Sequence, residues 1–263
     1  MEKNIRLKLM HVLKPLYGEW EARNIAKYLI PEMVYYSREQ FEDALSRLAM
    51  HEPWQYIIET EWFYELELKV TPATLIPRPE TEELVHYILQ NHSERNLKVL
   101  DIGTGSGCIA LALQRHRPHW SISGCDISEQ ALAIAKENAS HLGLEVNFFK
   151  YDILNASILN EKWDIIISNP PYIPENEQRL MRENVLQYEP HLALFVPDQD
   201  PLLFYRKIAE FAKSHLFQSG NLYFELNEFY AEETLSLIQS MQYKEAHILN
   251  DLMDKPRMIS AQL

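Results

Sequence analysis

Asn169-Pro170-Pro171-Tyr172 directly follows the apolar run Asp164-Ile165-Ile166-Ile167-Ser168, and its composition suits work on a nitrogen that resists alkylation. An amide nitrogen is a poor nucleophile because its lone pair is delocalised. Its N–H bonds must be held by acceptors while the lone pair faces an electrophile. The Asn169 side-chain oxygen and the Pro170 carbonyl can be those acceptors, and Tyr172 can stack on the planar group. Pro170 and Pro171 lack N–H donors and stiffen the chain, leaving carbonyls free to face a substrate. Holding the nitrogen in line is worth on the order of 7–11 kcal/mol when geometry is ideal. No side-chain base is required by this scheme.

A second group of residues is built to hold the electrophile. Asp101-Ile102-Gly103-Thr104-Gly105-Ser106-Gly107 lies between an apolar strand and a helix rich in Ala and Leu. Glycines at such a turn let backbone approach a ligand, and the helix start supplies oriented N–H groups. Dinucleotide loops share these features, but they place the last glycine three positions after the second. Here the glycines alternate strictly, and Asp101 precedes them, which suits a cofactor with a cationic amino-acid tail. Asp126 ends the next strand, where it can bind both ribose hydroxyls, and Asp152 closes the one after, within reach of an adenine amino group. Three acidic strand ends favour S-adenosyl-L-methionine over NAD.

These residues need a sheet whose strands end together. From Leu97 onward short strands alternate with helices: Lys98 to Asp101, Gly107 to His116, Ser121 to Asp126, Glu129 to Leu142, Val146 to Phe149 and Asp164 to Ser168. A helix near Leu202 to Leu216, a strand at Asn221 to Leu226, a helix at Ala231 to Met241 and two terminal strands follow. The pattern predicts an α/β fold with a mostly parallel seven-stranded sheet and helices on both faces. The tetrapeptide then falls at the carboxyl edge, where open α/β sheets bind ligands.

Before this domain, apolar residues recur at helical spacing from Ile5 to about Ile58, with breaks expected at Gly18 and Pro31. Ser37 and Gln40 form a capping box, and Pro53 opens the next turn. Residues 1–70 are read as a small helical domain with a connecting hairpin, and 71–263 as the α/β domain that carries these loops. Trp20, Trp54, Trp62, Tyr35 and Tyr36 are expected to pack the helical domain; Tyr188-Glu189-Pro190-His191 reads as a turn, and Glu225 equally well as a solvated edge charge.

Composition narrows the function further. A formal net charge of -13 over 263 residues repels a polyanion, so nucleic acid is disfavoured as the preferred substrate. No apolar run approaches the roughly 20 residues of a membrane span, and the charged N-terminus lacks signal-peptide character, which predicts a cytoplasmic protein. Cys108 and Cys125 read as small buried hydrophobes, and the scattered histidines suggest no metal site.

Several segments together resemble the PrmC/HemK family of release-factor glutamine methyltransferases: Thr74 to Glu82, Asp101 to Gly107, Asp126, Asn169 to Tyr172, and Tyr188-Glu189-Pro190. The tetrapeptide alone is shared with adenine and cytosine amino-methyltransferases, so a DNA or RNA adenine-N6 enzyme is the alternative. The segment from Ile76 to Glu82 is more specific. The resemblance implies a class I, Rossmann-like methyltransferase fold. It also implies methyl transfer from S-adenosyl-L-methionine to the side-chain nitrogen of the Gly-Gly-Gln glutamine in class I peptide chain release factors, with the N-terminal helices helping to recognise the factor. Cofactor binding then falls to Asp101, Gly103, Thr104, Gly105, Ser106, Gly107, Asp126, Asp152, Ile153 and Asn169, and substrate binding to Arg78, Asn169, Pro170, Pro171 and Tyr172. The chain departs from the family at His51, Glu59 and Glu65, where glycines are common, and lacks a usual glycine near Asp251 and Arg257.

Overall fold

A computed structural model describes residues 2–92, 96–155 and 159–263. The first 58 residues fold as α1 (Glu2–Met33), α2 (Arg38–Ala49) and α3 (Trp54–Ile58), around Leu9, Leu13, Leu29 and Leu48. Gly18 bends α1 through a non-helical φ of 78°, as the break expected there requires, whereas Pro31 sits in the last turn and α1 runs on to Met33. Ser37 and Gln40 cap α2 reciprocally at 3.2 and 2.8 Å. Trp54 stacks on Tyr28, and Trp62 tilts over the same ring. Of the aromatics expected to pack this domain, Trp20, Tyr35 and Trp62 are instead exposed.

A hairpin of β1 (Thr60–Phe63) and β2 (Leu66–Lys69) leads out. It is tied to the helix Glu129–Leu142 and the glycine loop by Asn138, which accepts from the Lys69 N–H at 2.7 Å and donates to the carbonyls of Lys69 and Ser106 at 3.0 Å each. The proline-rich connector then feeds α4 (Pro79–Asn91), with Pro79 in the first turn.

The α/β part contains β3 (Lys98–Ile102), α5 (Cys108–His116), β4 (Ser121–Asp126), α6 (Glu129–Leu142), β5 (Asn147–Lys150) and β6 (Trp163–Ser168). A short parallel pair, β7 (Ile173–Pro174) and β8 (Phe195–Val196), brackets α7 (Glu183–Tyr188). The chain finishes with α8 (Leu203–His215), β9 (Leu216–Glu225), α9 (Ala231–Ser240), β10 (Lys244–Asn250) and β11 (Pro256–Gln262). Seven strands form one sheet in the order β10-β11-β9-β6-β3-β4-β5, with β11 antiparallel to its neighbours. This is the mostly parallel α/β sheet that the sequence predicts.

Strand alternation gives the sheet two apolar faces. On β6, Ile165 and Ile167 pack with α4, α5 and α6, while Ile166 packs with α8 and α9. Because β4 and β6 flank β3, the chain leaves β3 on one side and returns on the other, which opens a crevice at the carboxyl ends of these strands.

Candidate active site

The loop after β3 is held by its neighbour. The N–H groups of Gly103 and Thr104 donate to the Cys125 carbonyl at 2.9 and 3.0 Å, and the Gly105 N–H donates to Asp126 Oδ2 at 2.9 Å. Asp126 Oδ1 accepts from the Ser128 N–H at 2.9 Å, and burial pushes this carboxyl above its ordinary range. Gly103 and Gly105 have φ of 75° and 55°, and a Cβ built on either meets nothing within 4 Å. Their conformation favours glycine, and the space in front of them is open to a ligand.

That space is a cleft of ≈ 940 Å³, counted to its open mouth. Gly103, Gly105, Asp126, Asp152, Ile153, Asn169, Pro170 and Pro171 line it, together with Leu75 from the connector. Asp152 is held low in pKa chiefly by the Asn155 amide, which donates to Oδ2 at 2.9 Å. Asp101, Thr104, Ser106 and Gly107 do not reach the cleft wall. Asp101 is fully buried behind the loop, where its Oδ2 accepts the Thr104 hydroxyl at 2.6 Å, and burial pushes its carboxyl up to about 7. Gly107 serves packing: a Cβ there would lie 3.0 Å from Phe148 and 3.2 Å from Ala135.

The tetrapeptide leaves β6 beside the loop. Asn169 also lines a second cavity of ≈ 500 Å³, bordered by Arg78, Tyr172, Met181, Val185 and Leu194. Asn169, Leu75 and Ala193 therefore stand between the two spaces. Asn169 Nδ2 donates to Thr81 Oγ1 at 3.2 Å, and among the described residues nothing donates to its Oδ1. Tyr172 is anchored at both ends: its hydroxyl donates to Glu225 Oε1 at 3.3 Å, and its carbonyl accepts from Asn227 Nδ2 at 3.1 Å.

Two carboxylates prove more than sequence patterning suggests. Glu225 is 2% exposed rather than a solvated edge charge, and burial raises its pKa to about 6. Glu189 is likewise buried rather than part of a simple surface turn: Oε1 accepts from Arg78 at 2.6 Å and Oε2 from the Ile76 N–H at 3.3 Å. This pairing clamps the connector over the tetrapeptide, and Pro190 then lines the cleft. No local pattern points to this pairing, because Glu80, Glu82 and Glu83 all lie nearer to Arg78 along the chain.

Residues 80–192 match the family model described as Methyltransferase small domain. The release factor glutamine methyltransferase of Flavobacterium psychrophilum is 46% identical over 224 residues, covering 84% of this chain and 79% of that protein. The enzyme of the same name from Bacteroides thetaiotaomicron is 44% identical over 223 residues, covering 84% and 80%. Among solved structures, a methyltransferase from Pyrococcus furiosus superposes with a TM-score of 0.55 at 18% identity, covering 75% of this chain and 88% of that one. A Thermus thermophilus 16S rRNA N2 G1207 methyltransferase, solved with AdoMet and guanosine, gives 0.56 at 16% identity, covering 77% and 49%. These two likenesses show the fold. Identity above two fifths, across four fifths of each bacterial relative, carries the family: this chain belongs to the release factor glutamine methyltransferases.

Proposed function

We propose that this protein transfers the methyl group of S-adenosyl-L-methionine to the side-chain amide nitrogen, N5, of the Gly-Gly-Gln glutamine in class I peptide chain release factors. The observation that carries the reading is Asn169, which stands between a cleft lined by Gly103, Gly105, Asp126 and Asp152 and a second cavity bordered by Arg78 and Tyr172. The family of its relatives supplies the substrate class.

When bound, S-adenosyl-L-methionine supplies a methyl group made electrophilic by its positively charged sulfur. The open faces of Gly103 and Gly105 admit its close approach, and Asp126 and Asp152 offer acceptors to its hydroxyl and amino groups. Asp101, Thr104, Ser106 and Gly107 support that loop from behind. Asn169 Oδ1 and the Pro170 carbonyl accept the N–H bonds of the substrate amide, and Tyr172 and Arg78 border the cavity that receives its side chain. Residues 1–70, with their own core, serve to recognise the factor.

Incubating the protein with methyl-labelled cofactor and either a release factor or double-stranded DNA tests this reading. Mass spectrometry should find a single added methyl on the Gly-Gly-Gln glutamine. Labelled adenine with the release factor untouched would sink the assignment.

A further inference from the structure

One end of the tetrapeptide meets a buried carboxylate directly, and the other reaches it through Thr81. Parallel pairing of β6 with β9 sets Ser168 opposite Phe224, so the next residues, Asn169 and Glu225, leave the sheet edge as neighbours. Glu225 Oε2 accepts the Thr81 hydroxyl at 2.5 Å, while Oε1 accepts the Tyr172 hydroxyl at 3.3 Å. Thr81 has one proton, and the carboxylate takes it. Toward Asn169 the hydroxyl can then only accept, so the Nδ2 end of the amide must turn to Thr81, as the 3.2 Å contact records. An amide that turns Nδ2 one way leaves Oδ1 for the substrate.

We propose that Thr81 and Glu225 are positioning residues for methyl transfer: the carboxylate orients the Thr81 proton, and that orientation makes Asn169 present an acceptor to the substrate amide. The proposal rests on Asn169 being that acceptor, as argued above. Neither Thr81 nor Glu225 lines either cavity, so both act through other side chains. If the chain of hydrogen bonds ran the other way, Thr81 would donate to Oδ1 and Nδ2 would confront the substrate's N–H, donor against donor. The second oxygen of Glu225 holds Tyr172, so a single group keeps the two ends of the tetrapeptide in register. Charge-assisted bonds of this kind are the stronger ones.

The test uses the full chain, an intact release factor, four single variants and two doubles on the Asn169→Ala background. Thr81→Val removes the hydroxyl but keeps the shape, and should lower kcat by roughly ten- to a hundredfold, the loss of one hydrogen bond to a charged network. The KM for S-adenosyl-L-methionine should stay within about twofold, since that contact set is untouched. Thr81→Ser, which restores the hydroxyl, should recover most of the kcat. In an Asn169→Ala background Thr81→Val should cost less than about twofold more, because the group it orients is gone. Should Thr81→Val fail to fold, Glu225→Gln should show the same kcat loss and the same masking by Asn169→Ala. Failure of the serine to rescue, or an undiminished loss in the Asn169→Ala background, would overturn the positioning role alone. Wild-type turnover by Asn169→Ala itself would overturn the acceptor reading, and this proposal with it.

Discussion

At Gly105 the backbone has φ of 55° beside an open cleft, two conditions that a larger side chain cannot meet together. Gly105→Val should abolish binding of S-adenosyl-L-methionine in calorimetry, because a β-branched residue is a severe outlier at positive φ and its bulk would occupy the cleft. Glu225 sets a pH dependence. Burial raises its pKa to about 6, with Glu80 adding to the shift and Arg257 and the Thr81 and Tyr172 hydroxyls opposing it. Above that value the carboxylate accepts from Thr81; below it the carboxyl holds a proton and can donate instead. Turnover should therefore fall as pH drops through about 6. Glu225→Gln, which cannot titrate, should be slow and flat across the same range. For stability the sign reverses: a carboxyl whose folded pKa is raised contributes stability below its ordinary range and loses it as pH rises through about 6. Asp101, raised to about 7, behaves likewise.

Among the elements, the connecting hairpin turns through Tyr64 and Glu65, with φ of 45° and 66°. Two positive values between paired Phe63 and Leu66 mark the primed turn that suits a twisted hairpin and normally calls for Asn-Gly. His51, Glu59 and Glu65 replace glycines common in the family, yet all three keep positive φ, as does Asp254 between Asp251 and Arg257. Glu65→Gly should raise the thermal midpoint, since relief of about 1–2 kcal/mol of left-handed strain outweighs the roughly 0.5–1 kcal/mol entropy cost of glycine. Gly124 on β4 shows the opposite demand. A Cβ there would lie 2.7 Å from both Phe148 and the Thr104 hydroxyl that holds Asp101. Gly124→Ala should cost about 1–3 kcal/mol in denaturant unfolding by overpacking, and should weaken cofactor binding through the displaced loop.

Across the whole molecule, the two domains are joined close to the site. The Tyr56 hydroxyl donates to the Thr74 carbonyl at 2.7 Å, the Tyr188 hydroxyl donates to the Met50 carbonyl at 2.9 Å, and Tyr56, Val70 and Ile76 pack together with Tyr188. The helical domain is thus held against the connector that roofs the cleft. A short Gly-Gly-Gln peptide should be a much poorer substrate than an intact release factor, because one side chain offers little surface and affinity must come from remote contacts. Comparable kcat/KM values for peptide and factor would remove the helical domain from recognition. Local chemistry made much of this readable from sequence: α6 spans Glu129–Leu142 as its cap and period require, and the strand before Asn169 announces itself by three consecutive isoleucines. The alternating glycines and the tetrapeptide are each one contiguous segment, so both could be picked out by spacing alone. Partners far apart in the chain were not readable. Thr81 meets Glu225 across 144 positions, and Arg78 meets Glu189 across 111. Such meetings depend on strand order and register, which set side chains of separate segments at one sheet edge and which no local pattern encodes. The sequence by itself thus determined the fold class and marked the glycine loop and the tetrapeptide; only the tertiary structure decided that Glu225 is buried, that Asp101 lies behind the loop, and which way the Asn169 amide turns.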